Sequence, residues 1–349
     1  LRGFLKKISQ GLLILWGVVT LVFFLLLLLP DPTTLAAGQR SDIMSQEAIN
    51  KEFGLDKPAH IQYLLYLNDL SPISYYTEET AKSKNIRGFK VIPTGNSGIY
   101  LKAPYMRRSF QYKKKVSQII GEALPGTLLL ALTSLLIASF IGIILGTIAA
   151  LKQGHWLDKT IMIVSNIGIS FPSFLVAIIF AWFFGFLLTK YTGLSMSGSM
   201  RSLNPLGTSY DIEWKNLILP ASALAIRIIG IITQLTRSSV IAVIKQEFIL
   251  TAKAKGLSSI QIIKKHVLKN ALNPVVTALS GWFASLLAGA FFIEYIFNWK
   301  GLGKVTIEAV QNSDIPVVMG GIIFTACIFI VVNIMVDYIY TLLDPRVKI

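Results

Sequence analysis

The chain has 349 residues, 53% of them hydrophobic and only 15% charged, with a mean hydropathy of +0.62. A soluble domain carries about a quarter charged residues, so this composition excludes an ordinary soluble domain and points to an integral membrane protein. The net charge of +15 lies in bands between apolar runs, which suits the ends of membrane spans; there is no aromatic-interleaved basic patch of the kind single-stranded nucleic acid needs.

A spanning helix needs about 20 predominantly apolar residues, and six stretches qualify: 8–29, 124–151, 160–189, 217–236, 274–293 and 317–336. Runs this long exclude barrel strands, and lipid leaves only helices otherwise. The expected fold is therefore an all-α membrane protein with six transmembrane helices and a long external loop between the first two. Arg2, Lys6 and Lys7 precede the first run, as in a signal peptide. Its apolar core exceeds the roughly 7–15 residues of a signal sequence, so a retained anchor is expected.

Three parts follow in chain order: a tail and first span (1–30), an external segment (31–117), and a five-helix core (118–349) that contains a basic connector at 245–272. Within the external segment, "SQEAINKEFG" predicts a short helix with Ser45 as N-cap and Gly54 as stop. "KPAHIQYLLYL" predicts a second, with Pro58 near its start. Residues 71–97 are polar and turn-rich, and no role follows from them.

Orientation comes from Lys and Arg in the short loops. One side holds Arg2, Lys6, Lys7, Lys152, Lys159, six lysines between Lys245 and Lys269, and the tail's Arg346 and Lys348; the other holds Lys190, Arg201, Lys215, Lys300 and Lys304. The bias places both termini and the connector in the cytoplasm. The long 31–117 segment is basic too, but long segments translocate largely regardless of charge.

The connector reads "EFILTAKAKGLSSIQIIKKHVLKN" over 247–270. Gly256 divides it into two helices, since glycine supplies the left-handed turn that ends the first. Ser258 or Ser259 caps the second, along which Ile260, Ile263, Val267 and Ala271 recur at helical spacing. Lys264, Lys265 and Lys269 fall on other faces. Periodicity leaves two readings open, a helix lying on anionic lipid or one docked into a groove on another protein.

Other motifs yield less. "WKGLGKVT" lacks the phosphate-loop spacing, with Asn298 and Val305 at the wrong places, and reads as a turn. His60, His155 and His266 fall in three different segments, so no metal site is expected. Ser170 and Ser173 have no nearby His, and no catalytic constellation can be assembled. Gly142 and Gly146, like Gly281, Ser285 and Gly289, place small residues four apart and predict close helix packing. Pro172 and Pro220 mark kinks or helix starts, and Cys327 is a packing residue. Arg227 interrupts the fourth span. A cation there is expensive, so it lines a watery pathway, or it snorkels or is paired, with Asp337 or a backbone carbonyl as candidate partner. Glu294 sits at an external helix end and reads as solvated.

Several stretches together carry a resemblance. Glu247-Phe248, "TAKAKGL" (251–257) and "HVLKNALNP" (266–274) are joined in order by "FGLDKPAHIQYLLYL", "LPGTLLLAL", "GTIAALKQGHWLDK", "FPSFL", "LILPA", "LTRSSVIAVIKQEF", "IEYIFNWKGLGK", "DIPVVMG" and "LLDPRV". The chain resembles the permease subunits of ABC importers, in the branch that handles dipeptides, oligopeptides and nickel. It departs from the family by a polar insertion near 70–96 and by "LPDP" after the first span.

The resemblance implies that the connector is the family's cytoplasmic "EAA" coupling segment. Its ATPase-coupling residues would be Glu247, Phe248, Thr251, Ala252, Ala254, Lys255, Gly256, Leu257, Ile260, Ile263, His266 and Asn270. It also implies a multi-pass protein of a bacterial-type cell membrane with a second similar permease, two cytoplasmic ATPases and an external substrate-binding protein as partners. The chain itself would be non-catalytic and without cofactor, ATP and magnesium being held by the ATPases. Di- or oligopeptides are the implied cargo, nickel or a metal chelate the close alternative. An ion-coupled secondary transporter is the alternative of another class, and it would need no ATPase.

Overall fold

The computed structural model describes residues 2–28, 54, 56–86, 88–203 and 210–343. Of the helix expected on "SQEAINKEFG", residues 45–53 lie outside these; its expected stop, Gly54, is described, at φ +67. The chain divides into two compact units: Leu1–Lys7, Leu124–Lys304 and Ile328–Ile349 form one, and Ile8–Ala123 with Val305–Cys327 form the other.

Among the described residues, four continuous helices are long and apolar enough to cross a bilayer, five spans if one bent pair is counted with them. They lie in α1 (Arg2–Leu27), α4 (Val116–Leu151), α7 (Lys215–Ile244) and α14 (Ile315–Leu343). The third expected span is not straight. It is broken into α5 (Trp156–Ser170) and α6 (Ser173–Trp182, prolonged by a π turn to Leu187), bent by 102°. Pro172 has no N–H to continue a helix and forces the residue before it out of helical geometry. Phe171 is accordingly extended, at φ −74 and ψ 132. The fifth stretch becomes the 17-residue α11 (Asn273–Gly289), opened by Pro274 in its first turn, followed by the short α12 (Phe291–Ile296) and then by α13 (Leu302–Gln311).

In the first unit α7 is the centre: 61% of its apolar stretch is buried, against 39% or less for the other continuous spans. Close approach explains this. A Cβ on Gly142 would lie 2.8 Å from the Ile232 side chain, and one on Gly146 only 2.5 Å from the Thr233 carbonyl oxygen. From the other side, a Cβ on Gly230 would meet the Ser165 carbonyl oxygen at 2.5 Å. The expected packing role of Gly142 and Gly146 holds. The second small-residue series differs, because Gly281 has nothing within 4 Å of its Cβ position in this chain and Ser285 is exposed.

The turn "NWKGLGK" after α12 also belongs to this unit. Glu294, expected to be solvated, is fully buried. Its carboxylate accepts from the Thr127 hydroxyl (2.6 Å) and from the amides of Gly303 (2.7 Å) and Lys304 (3.2 Å). The Trp299 indole donates to the Gly126 carbonyl at 3.0 Å. This turn does gather a negative group on glycine amides, but the group is the chain's own carboxylate. A Cβ on Gly301 would lie 2.3 Å from that carboxyl carbon, which explains the glycine.

In the second unit α2 (Ala59–Leu70) starts after Pro58, as expected, and packs on α1. Phe23 stacks on Tyr66 at 5.8 Å, and Thr20 shares a hydrogen bond with the Tyr63 hydroxyl at 2.6 Å. The polar stretch that suggested no role folds as β1 (Ile73–Thr77), α3 (Glu78–Ser83), β2 (Gly88–Thr94) and β3 (Ser97–Lys102). The strands form one antiparallel sheet in the order β1-β3-β2, with Ile73 opposite Leu101 and Ile92 opposite Ile99. The all-α expectation therefore describes the spans, and the segment between α1 and α4 adds a sheet.

Asp69 organises this subdomain. Its buried carboxylate accepts from the Tyr76 hydroxyl (2.9 Å), Lys84 (2.6 Å) and Arg107 Nε (3.2 Å). Lys102 donates to the Asp69 and Ser71 carbonyls. Burial pushes the Lys102 ammonium down to about 8 and the Tyr76 phenol above its ordinary range, the Asp69 carboxylate adding to the latter. A second buried carboxylate, Asp314, takes the Ser109 hydroxyl and the Phe110 (3.0 Å) and Gln111 (3.3 Å) amides. It thereby fastens the end of the subdomain to the start of α14.

Removing one partner of a buried ion cluster costs about 3–5 kcal/mol because the remaining charges lose their counterion. Asp69→Asn should therefore loosen the subdomain, whereas Tyr76→Phe, which loses one hydrogen bond, should cost about 1 kcal/mol. Limited proteolysis of membrane vesicles should show rapid cleavage within 71–102 in Asp69→Asn and near-normal resistance in Tyr76→Phe. Equal resistance in all three proteins would remove Asp69 from this role.

Candidate functional site

The basic connector is built outward from α7. Helix α8 (Glu247–Ala254) begins with Glu247 in its first turn, where a carboxylate complements the helix dipole. It ends in a Schellman turn: the Gly256 amide donates to the Lys253 carbonyl at 2.9 Å and the Leu257 amide to the Ala252 carbonyl at 3.4 Å. Gly256 has φ +76, the left-handed conformation expected of it. Ser258 is the cap of α9 (Ser259–Ile262), in a reciprocal box with Gln261: Ser258 Oγ accepts from the Gln261 amide at 3.4 Å, and Gln261 Oε1 accepts from the Ser258 amide at 3.0 Å.

The face that is buried differs from the periodic reading. Ile249, Ala252, Ile262, Val267 and Ala271 form one cluster with Ala150 at the end of α4 and with Val240 and Val243 near the end of α7. Ile260, read as part of the stripe, is 67% exposed, and Ile263 is only half-buried. The cause is a π turn over Ile263–Val267, which spends one extra residue and brings Ile262 and Val267, five apart, onto one side before α10 (Leu268–Ala271). Each buried Ile or Val removes enough apolar area from water to contribute about 1.5–3 kcal/mol. The connector is thus seated firmly on the ends of α4 and α7.

Its outer face carries Phe248, Leu250 and Ile260, all exposed, among exposed Lys253, Lys255, Lys264 and Lys265. Of the other residues singled out from sequence, Thr251, Ala254 and Asn270 are exposed, while Leu257 and His266 are half-buried. Asn270 donates to the His266 carbonyl at 2.7 Å, and Ala252 belongs to the buried side.

One pair escaped the sequence reading. Asp158 on α5 accepts from Arg237 on α7 through two parallel bonds, Nε to Oδ1 at 2.6 Å and Nη2 to Oδ2 at 2.7 Å. The Gly154 amide adds a third at 3.0 Å. Arg237 lies three residues before Val240, so the α4–α5 turn is tied to α7 beside the connector's seat. The available signal was a charge at the margin of each apolar run, where lipid makes a lone charge costly.

Arg227 is exposed, and its guanidinium carbon lies 5.8 Å from the centroid of the Trp282 ring on α11. Among the described side chains it has no acidic partner; the side chain of Asp337 lies outside them. On the same helix, Gln234 donates to Asn166 Oδ1 on α5 at 2.7 Å.

These features define a polytopic helical membrane component with a basic, amphipathic handle seated on the ends of two of its long helices. The sequence matches the family described as binding-protein-dependent transport system inner membrane component over residues 142–349, and that family's N-terminal component over residues 1–85. The chain belongs to this family. It is 34% identical to a putative peptide transport system permease protein of Brucella abortus, over 99% of this chain and 98% of that one. It is 33% identical to the dipeptide transport system permease protein DppB of Bacillus subtilis, over 95% and 93%. A solved structure, the inward-facing MetNI methionine ABC transporter, shares the fold at TM-score 0.50 and 15% identity, covering 65% of this chain and 97% of that one. The chain is a membrane-embedded component of an ABC importer.

The Asp158–Arg237 bridge has a measurable weight, since hydrogen bonds to a charged group contribute about 1.5–3 kcal/mol. Asp158→Asn should lower the melting temperature of the detergent-solubilised protein, and Arg237→Gln should do so similarly. The double variant should lose little more than either single one. Fully additive losses would mean that the two side chains act independently.

Proposed function

We propose that this protein is the permease subunit that forms half of the translocation pathway of an ATP-driven importer of di- or oligopeptides. The carrying observation is the handle, with its apolar underside seated on α4 and α7 and its exposed Phe248, Leu250 and Ile260 turned outward. The names of the peptide and dipeptide permeases that it resembles support the cargo. In this reading the outer face docks in a cleft of a cytoplasmic ATPase. A second permease completes the pathway, and an external binding protein delivers the peptide. ATP and magnesium reside on the ATPases. Closure of the two ATPases drags the handle, and because its underside is packed against the ends of α4 and α7, those helices move with it. Rigid-body rocking of this kind opens the pathway alternately to each side.

The orientation follows from the charge bias of the short loops, with the handle and both termini cytoplasmic and the sheet subdomain external. Single cysteines placed by Ser258→Cys and Ser83→Cys in a Cys327→Ser background should react with an impermeant reagent from opposite sides of the membrane. Reaction of both positions from outside intact cells would overturn the topology.

Gly256 tests the handle. Nothing lies within 4 Å of a Cβ there, so substitution strains only the backbone, by about 1–2 kcal/mol for a side chain held left-handed. That is too little to unfold the protein but enough to re-aim α9. Gly256→Val should insert normally yet bind its ATPase poorly, or hydrolyse ATP without importing peptide. Gly256→Asn, which tolerates this conformation, should stay near wild type. Wild-type uptake by reconstituted Gly256→Val complexes would refute the coupling role.

A further inference from the structure

The exposed surface of the first unit is of two kinds. Along α4, Leu132, Leu136, Phe140 and Ile144 are exposed at four-residue intervals, a wholly apolar ridge suited to lipid. Across α5, α7 and α11 the exposed positions are mixed: Asn166, Ser170, Arg227, Thr277 and Ser285, with Gln234 half-exposed, stand among exposed Ile163, Ile167 and Val276. Such polar groups are costly against acyl chains, so this second face meets water or another protein. Two contacts join it into one strip: Arg227 over Trp282 links α7 to α11, and Gln234 bonded to Asn166 links α7 to α5.

The chemistry of the strip is specific. A guanidinium held over an indole keeps its donor edge free and planar for a carboxylate. Once Gln234 donates to Asn166, the two amides retain one NH₂ and one carbonyl group unspent, whichever way they are flipped, and this is the complement of a peptide group. Arg227 and Gln234 are seven residues apart, so they share one side of α7 at a separation of about 10 Å. An extended peptide covers about 3.3–3.6 Å per residue, so that distance spans roughly three residues.

We propose that this strip is a binding site in the pathway for the C-terminal end of a short peptide: Arg227, braced by Trp282, receives the carboxylate, and the Asn166–Gln234 pair receives a peptide group further along the chain. The site rests on the peptide-importer reading and adds to it a requirement for a free carboxylate during passage.

The test uses the complete reconstituted complex in proteoliposomes, with uptake of trialanine and its C-terminal amide, each supplied bound to the binding protein. Wild type should import the acid about tenfold faster than the amide, the factor one charge-assisted hydrogen bond carries. Arg227→Gln should bring the acid down to the amide's rate, and Arg227→Lys should keep part of the preference. Asn166→Ala and Gln234→Ala should slow both substrates alike. Equal import of acid and amide by wild type overturns the site and leaves the importer reading standing; import of neither overturns both. If Arg227→Lys and Arg227→Gln complexes fail to assemble, Arg227 is an interface ion pair and the site is refuted.

Discussion

The close approach of α7 to its neighbours is the constraint on which the first unit depends. Lipid supplies no hydrophobic drive between helices, so association rests on van der Waals contact and on residues small enough to permit it. Gly142 and Gly146 meet α7 from α4, while Gly230 lets α7 itself meet α5. Any side chain larger than hydrogen at these places would collide with backbone or branched side chains. With α7 so enclosed, its two remaining features are its C-terminal end, where the handle sits, and one polar side bearing Arg227 and Gln234.

Buried carboxylates do the complementary work where packing alone does not fix the chain. Asp69, Asp158, Glu294 and Asp314 each accept from several donors, at least one of them distant in sequence. A buried carboxylate is costly unless its lone pairs are met, and a fully met one specifies a single arrangement. Each therefore locks a turn or loop: the sheet subdomain, the α4–α5 turn, the glycine turn after α12, and the entry to α14.

The handle joins these two kinds of order. Its underside is aqueous-type hydrophobic packing, its turn a Schellman motif, and its register is set by a single π turn. That extra residue frees Ile260 from the packed side and leaves it on the surface beside exposed Phe248 and Leu250. In the proposed importer, the same residue insertion that seats the handle also furnishes its docking face.

Sequence alone determined what depends on neighbours along the chain. Apolar length set the four continuous spans, Pro172 marked where the third expected span would break, and Gly256 and the Ser258–Ser259 pair announced a left-handed stop and a cap. Each of these is a local requirement of backbone geometry or of lipid. The ordered motifs carried the family for the same reason, being contiguous. Tertiary structure alone decided which residues met across the chain. Asp158 and Arg237 are separated by 79 positions, Thr127 and Glu294 by 167, and nothing local to either residue names its partner. The sheet was hidden because its strands are short and polar on one side. The face of the connector's second helix was misread because one inserted residue rotates every side chain after it by about 100°, and only packing against Val240 and Val243 shows where that residue is spent.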